Sequence, residues 1–217
     1  MDAQRTVRRQ ISCVGIGLHS GNRVQLSLKP APADFGIRFR RVDLGGHEIP
    51  ATVHHLAGIQ LATGLARNEV SVDTVEHLLA ALMAMGIDNV LIELNSPEVP
   101  IMDGSAAPFI YLVNEAGVKA LKVPRKYLKI VRPIALSRGD KRIALYPSDH
   151  FKVTYSISYD HPLLRHQSRT IRITEESFIE EVAPARTFTF LKDVEMLRQN
   201  GLALGGSLDN AIVLGET

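Results

Sequence analysis

One pattern occurs twice in this chain of 217 residues, and it limits the fold more than any other feature. The stretch GNRVQLSLKPAPADFGIRFRRVD, from Gly21, can be laid over GDKRIALYPSDHFKVTYSISYD, from Gly139, with one residue removed. Both alternate in short apolar bursts and break at Gly, Pro, Ser and Asp, as strands and turns do. Self-similarity at this range is too long for a solenoid, whose periods are roughly 20 to 50 residues, so it describes a duplicated unit. The expected class is α+β: two related domains, each a small mixed or antiparallel sheet layered with helices. First-unit strands are expected at 6–14, 24–28 and 37–42, and second-unit strands at 127–136, 142–146 and 151–158. KVPRK at 122–126, with Pro124 among charges, divides a first domain, 1–123, from a second, 127–217. The second carries helices at 175–183 and 192–200 around a strand at 186–191, with Gly201 as a stop and a last strand at 211–214. It then ends in GET without a closing helix, so the second domain reads as incomplete.

Between the strand sets lies the most informative helix, 73–86. Apolar residues at 75, 78, 79, 82 and 83 fit the i, i+3, i+4, i+7, i+8 template, and Gly86 supplies the stop. Glu76 and His77 are the only ionisable groups from 74 to 87. His77 falls opposite the stripe, among Ala80, Ala81 and Ala84, so the helix is apolar on both faces and must be packed on both. Two readings stand for each group. Glu76 completes a capping box, Asp73-x-x-Glu76, or acts as a general base; His77 is a core histidine bonded to a carbonyl, or a metal ligand. Further candidate ligands are His19, His54, His55 and His161, none at ligand spacing.

The glycine-rich GIGLHSG is neither GxGxxG opening a helix nor a Walker loop, and it reads as a tight hairpin. In PEVPIMDGSAAPF, Ser105 is placed to cap a helix with Pro108 in its first turn, and Asp103 to hold the turn. ARTFTFL alternates, with Arg186, Phe188 and Phe190 on one face and Thr187 and Thr189 on the other.

Composition narrows the class further. At 45% hydrophobic and 22% charged the chain has the balance of a soluble globular protein. Its longest uncharged apolar run, 78–87, is about half of the roughly 20 residues that cross a bilayer. MDAQRTVRRQ contains no apolar core of a secretory leader, so a cytoplasmic location is expected. A net charge of +2 gives no ground for a nucleic-acid partner. Arg5, Arg8, Arg9, Arg38, Arg40 and Arg41 are expected on the solvent faces of strands. The lone Cys13 is expected as apolar filler.

Three long motifs in order, QRTVRRQISCVGIGLHSG, TVEHLLAALMAMGIDNVLIELNSPEVPIMDGSAAPF and ARTFTFLKDVEMLRQNGLALGGSLDNAIV, resemble the UDP-3-O-acyl-N-acetylglucosamine deacetylases of lipid A biosynthesis. The resemblance implies a pair of related α+β domains and zinc-dependent hydrolysis of the 2-acetamido group of a UDP-sugar, releasing acetate. By motif it makes His77 a zinc ligand and Glu76 the carboxylate that activates the zinc-bound water. Thr187 matches the threonine that helps stabilise the oxyanion, and Phe188 lines the site. It also implies substrate contacts from Leu18 and His19, from Leu61, Ala62 and Thr63 in a substrate loop, and from Lys141 and Tyr159. The chain departs from the pattern in one respect: the family's His-Lys-x-x-Asp motif, which holds the other two zinc ligands, and a later His that protonates the leaving amine do not occur. A single His cannot hold catalytic zinc, so these residues alone are expected to be inactive or nearly so. The alternative is a non-catalytic UDP-sugar or acyl-chain binding protein.

Overall fold

A computed structural model describes residues 2–215; the expectation about the chain's last residues, Glu216 and Thr217, lies outside them. In the first half, strands β1 (Ala3–Val7), β2 (Ile11–Ile16), β3 (Arg23–Pro30), β4 (Ile37–Arg41), β5 (His47–Pro50), β6 (Leu56–Gly58), β7 (Gly64–Arg67) and β8 (Val70–Val72) lead into helix α1 (Glu76–Ala84). Strand β9 (Val90–Leu94), helix α2 (Ala107–Ala116) and β10 (Val118–Pro124) follow. The second half holds β11 (Ile134–Arg138), β12 (Lys141–Leu145), β13 (Lys152–Ile157), β14 (Gln167–Arg172), a short α3 (Glu175–Ser177) continued by a π turn (Phe178–Val182), β15 (Phe188–Phe190), α4 (Leu191–Gln199) and β16 (Ile212–Leu214).

The largest sheet has five strands in the order β2-β3-β9-β4-β5. Strand β9 is central, antiparallel to β3 and parallel to β4, and its sequence VLIEL is nearly continuous apolar. The core gathers the inner face of this sheet, including Leu26, Phe39, Ile49 and Ile92, against Leu78 and Leu82 of α1 and Phe109 and Val113 of α2. Each such side chain stabilises the fold by roughly 1.5–3 kcal/mol relative to exposure. The outer face carries an ion ladder in which Arg40 pairs with Glu48 and Glu93, and Glu93 with Lys29.

The repeated pattern has a structural counterpart. Hairpins β2–β3 and β4–β5 correspond in order to β11–β12 and β13–β14, all antiparallel. Strand β9 joins the first pair into one sheet, whereas among the described residues the second pair remains two separate two-stranded sheets. Apolar residues there are exposed, among them Leu136, Ile143 and Tyr155. An open groove of about 850 Å³ runs between the β13–β14 hairpin, the π turn and Met83 of α1.

Several expectations need correction. The strand expected at 6–14 breaks at Arg8 and Arg9, because β1 pairs with β10 while β2 pairs with β3. Residues 127–133 are not a strand, since pairing begins at Ile134. The helix expected at 175–183 is one α turn followed by a π turn, and the strand expected at 186–191 is Phe188–Phe190, with Leu191 already in α4. Met83 is exposed, so the buried stripe of α1 runs instead through Leu78, Ala81 and Leu82. Arg41 is buried, paired with Asp43 and donating to the Ser71 carbonyl, because it shares the inner face of β4 with Phe39, two residues before it. The 122–126 segment is a paired strand end, with Arg125 on Asp88 and Lys126 on Asp34.

Cys13 packs against the core from β2, and burial pushes its thiol up to about 11. Thiolate is the reactive form. At pH 8 Ellman's reagent is therefore expected to label native protein ~100-fold more slowly than denatured protein, and equal rates would show that β2 opens freely.

Candidate active site

The start of α1 is built without a conventional cap. Val75 stands at the N-cap with no side-chain hydrogen bond, and Thr74 before it has a φ of 58°, a left-handed conformation that costs a β-branched residue on the order of 1–2 kcal/mol. The capping box does not form, because the Asp73 amide donates to the Pro97 carbonyl. Glu76 reaches elsewhere: its Oε2 accepts from the Thr63 amide at 3.0 Å, while the Thr63 carbonyl accepts from Val75. The loop before β7 is thereby tied to the first turn of α1.

His77 is half-buried, and among the described residues its ring makes no hydrogen bond, so it is not a core histidine bonded to a carbonyl. Burial lowers its pKa, with the carboxylates of Glu76 and Asp103 opposing. Loss of solvation thus favours the neutral imidazole, the form able to ligate a metal.

Asp103 belongs to the turn that joins the two halves. Its Oδ1 accepts from the Ser105 amide and hydroxyl, and Ser105 Oγ in turn accepts from the Ala107 amide at the start of α2. The Asp103 carbonyl accepts from Arg186 Nε, the Gly104 carbonyl from the Thr187 amide at 2.8 Å, and the Ala183 carbonyl from the amides of Ala106 and Ala107. Gly104 has a φ of 87°, and a Cβ there would lie 2.1 Å from the Asn210 carbonyl oxygen, so no other residue fits. This lattice carries Thr187 onto the first half, at the turn whose Asp103 charge His77 senses.

A cavity of about 220 Å³ opens beside Thr187. Leu18, His19, Leu61, Thr187 and Phe188 line it together with Val194 and Leu197 of α4 and Val213 of β16, so its wall is mostly apolar. Tyr159 packs edge-on against Phe188 and Phe190. Both ring nitrogens of His19 are buried and without a hydrogen-bond partner, which in a native interior calls for a ligand or a water. Glu76, His77, Ala62 and Thr63 do not line the cavity; Thr63 connects its Leu61 edge to Glu76. Lys141 stands exposed at the turn end of the β11–β12 hairpin and does not line this cavity. His161 is buried and satisfied, accepting from the Leu163 amide and bonding the Gly215 carbonyl, and His55 bonds Thr52 at the surface.

Sequence reasoning missed Glu98 beneath this site and read Asp73 only as part of a cap. Glu98 is buried, and Asp73, facing Glu98 and Glu76, has its carboxyl raised by burial first and by those charges next. The signal was present: Glu98 is the one charge in PEVPIM, between residues that are otherwise apolar. Among the described residues no cluster of three or more His, Cys, Asp or Glu side chains could hold a metal ion. Nor, among the described residues, is any helix long and apolar enough to cross a membrane.

The LpxC family model, described as UDP-3-O-acyl N-acetylglycosamine deacetylase, matches residues 4–217. The UDP-3-O-acyl-N-acetylglucosamine deacetylase of Pseudomonas entomophila is 49% identical over 220 residues, which cover 100% of this chain and 73% of that protein. The deacetylase of the same name from Anaeromyxobacter dehalogenans is 50% identical over 213 residues, covering 98% of this chain and 69% of that one. That of Methylococcus capsulatus is 47% identical over 219 residues, covering 100% and 72%.

The acidic pocket generates a stability prediction. A carboxyl whose native pKa is raised costs nothing below its unfolded value, near 3.9, and a growing amount as pH rises through the native value. Asp73→Asn is therefore expected to raise the melting temperature by a few degrees at pH 7 and to lose this advantage as pH falls toward 4. A variant that is less stable than wild type at pH 7 would mean that the Asp73 carboxylate is a needed hydrogen-bond acceptor.

Proposed function

The chain belongs to the UDP-3-O-acyl N-acetylglycosamine deacetylase family, and from that premise we propose that it takes part in hydrolysis of the 2-acetamido group of UDP-3-O-acyl-N-acetylglucosamine, a step of lipid A biosynthesis in the cytoplasm. The observation that carries this reading is the cavity beside Thr187. Leu18, His19, Leu61 and Phe188 converge there from both halves of the chain on one apolar space next to a hydroxyl. An acyl chain is the part of such a substrate that an apolar wall recognises, and the unpartnered ring nitrogens of His19 offer a buried polar contact.

In this proposal water attacks the acetamide carbonyl carbon, the C–N bond breaks as the nitrogen gains the proton that the water gave up, and acetate and the free amine are released. Glu76 takes the proton of the attacking water, held in place by the Thr63 amide. Thr187 presents its hydroxyl to the oxyanion, its backbone fixed by the Gly104 carbonyl and the Ile212 amide. Tyr159, braced by Phe188 and Phe190, and Lys141 on its hairpin are the contacts toward the sugar and nucleotide. The two hairpin pairs with their helices are read as two related domains, 1–123 and 127–217.

Zinc belongs to the same proposal, with His77 as one ligand. The described residues do not fit a catalytic zinc by themselves: the ion needs three protein ligands and an open position, and only His77 is offered.

Two measurements test the reading. In a protein joining this chain to the part of the Pseudomonas entomophila relative that it does not cover, Glu76→Gln is expected to lower acetate release by about 10²-fold and Thr187→Ala by about tenfold or more. Near-full turnover in Glu76→Gln would leave Glu76 as no more than a tie to Thr63. Equilibrium dialysis is expected to leave the chain alone well below one zinc per molecule, and the joined protein with one zinc that His77→Ala loses. Retention of that ion by His77→Ala would remove His77 from the ligand set.

A further inference from the structure

Glu98 takes no part in the chemistry proposed above, yet it is 2% exposed and its carboxylate accepts four hydrogen bonds. Oε1 receives the His19 amide at 2.9 Å and the Thr74 hydroxyl at 2.9 Å. Oε2 receives the Ser20 amide at 2.9 Å and the Ser20 hydroxyl at 2.7 Å. The groups it gathers are not core strands. They are the loop that brings Leu18 and His19 to the cavity, and the left-handed residue that leads into α1 with Glu76 and His77.

The loop is shaped to receive this carboxylate. A Cβ on Gly17 would lie 2.3 Å from Glu98 Oε2, so only glycine lets the acid approach. On the opposite edge the Leu18 carbonyl accepts from the Gly205 amide at 3.0 Å and the His19 carbonyl from the Leu204 amide at 3.2 Å. A Cβ on Gly205 would in turn meet the Gly17 carbonyl at 2.2 Å. Residues 18–20 therefore form a strap whose amides are held by Glu98 from the first half and whose carbonyls are held by 204–205 from the second. The His19 ring nitrogens have no hydrogen-bond partner of their own, so no polar contact besides those of its backbone fixes the residue.

We propose that Glu98 is the positioning residue for the substrate-binding side of the site: it sets the register of the Leu18–His19 strap against the cavity, and through Thr74 ties that register to the entry of α1. The identity of the ligand rests on the deacetylase reading. Glutamine cannot substitute. Whichever way its amide is turned, an NH₂ group faces a backbone amide donor, at His19 or at Ser20, and one strap contact is lost.

The test uses the full chain with UDP-3-O-acyl-N-acetylglucosamine as probe, combining site-resolved amide hydrogen exchange and titration calorimetry. Glu98→Gln is expected to speed exchange at His19 and Ser20 by about tenfold or more, to leave Leu26 and Ile92 in the five-stranded sheet unchanged, and to raise Kd about tenfold. Ser20→Ala removes one hydroxyl and is expected to move both readouts in the same direction by a smaller factor; it carries the test if Glu98→Gln folds poorly. Equal acceleration at Leu26 and Ile92 would make Glu98 a general stabilising group and overturn the proposal. So would a local loss of protection with Kd unchanged, or no loss at all. A wild-type chain that fails to bind the probe overturns the substrate reading and the ligand half of this proposal, and the exchange data, which need no ligand, separate that result from the others.

Discussion

Everything that makes a site out of two halves depends on one short lattice of carbonyl and amide groups, where the turn at 103–107 meets the segment at 183–187. The exposed N-terminal amides of α2 need acceptors, and the Ala183 carbonyl supplies them from the second half. The Gly104 carbonyl, turned outward by a backbone that only glycine adopts comfortably, receives the Thr187 amide in return. Because Phe178 and Ala183 are also buried in the first half's core, the apolar and polar parts of this contact reinforce each other. Thr187 stands just before β15, and its hydroxyl is placed because its amide and carbonyl are both bonded, to the Gly104 carbonyl and the Ile212 amide.

A second set of constraints acts from beneath. Thr74 adopts a strained conformation, Asp73 carries a carboxyl that burial and neighbouring charge disfavour, and Glu98 buries an acid among four donors. Asp73 and Thr74 immediately precede Glu76 and His77 along the chain and Glu98 reaches them through the Thr74 hydroxyl, whereas the five-stranded sheet behind them is regular and apolar on its inner face. Strain and buried charge concentrated at one edge of an otherwise consistent fold is the usual condition of a working site, where local preference yields to the geometry the chemistry needs.

Legibility differed from element to element for physical reasons. Helix α1 was readable because its apolar residues recur at helical spacing and Gly86 ends it; yet Met83 lies on the open groove, because helical spacing says which residues share a face and not what covers that face. The expected strand at 6–14 failed because two pairings with different partners meet at Arg8 and Arg9, and pairing is a long-range property. The π turn was invisible, since FIEEV satisfies an α pattern equally well. Of the residues the resemblance assigned, Leu18, His19, Leu61, Thr187 and Phe188 meet on one cavity, while Lys141 stands on an exposed hairpin away from it.

The amino-acid order alone determined the α+β class, the repeated hairpins, the doubly apolar helix with its adjacent acid and imidazole, and the family, because each of these is written in local periodicity or contiguous motif. Only the tertiary structure decided what those groups do for one another: that Glu76 bonds the Thr63 amide instead of capping its helix, that His77 has no carbonyl partner, and that Glu98 holds the strap. Hydrogen-bond acceptors are chosen by distance in space, and residues separated by dozens of positions along the chain become neighbours only once the sheet and its two helices have packed.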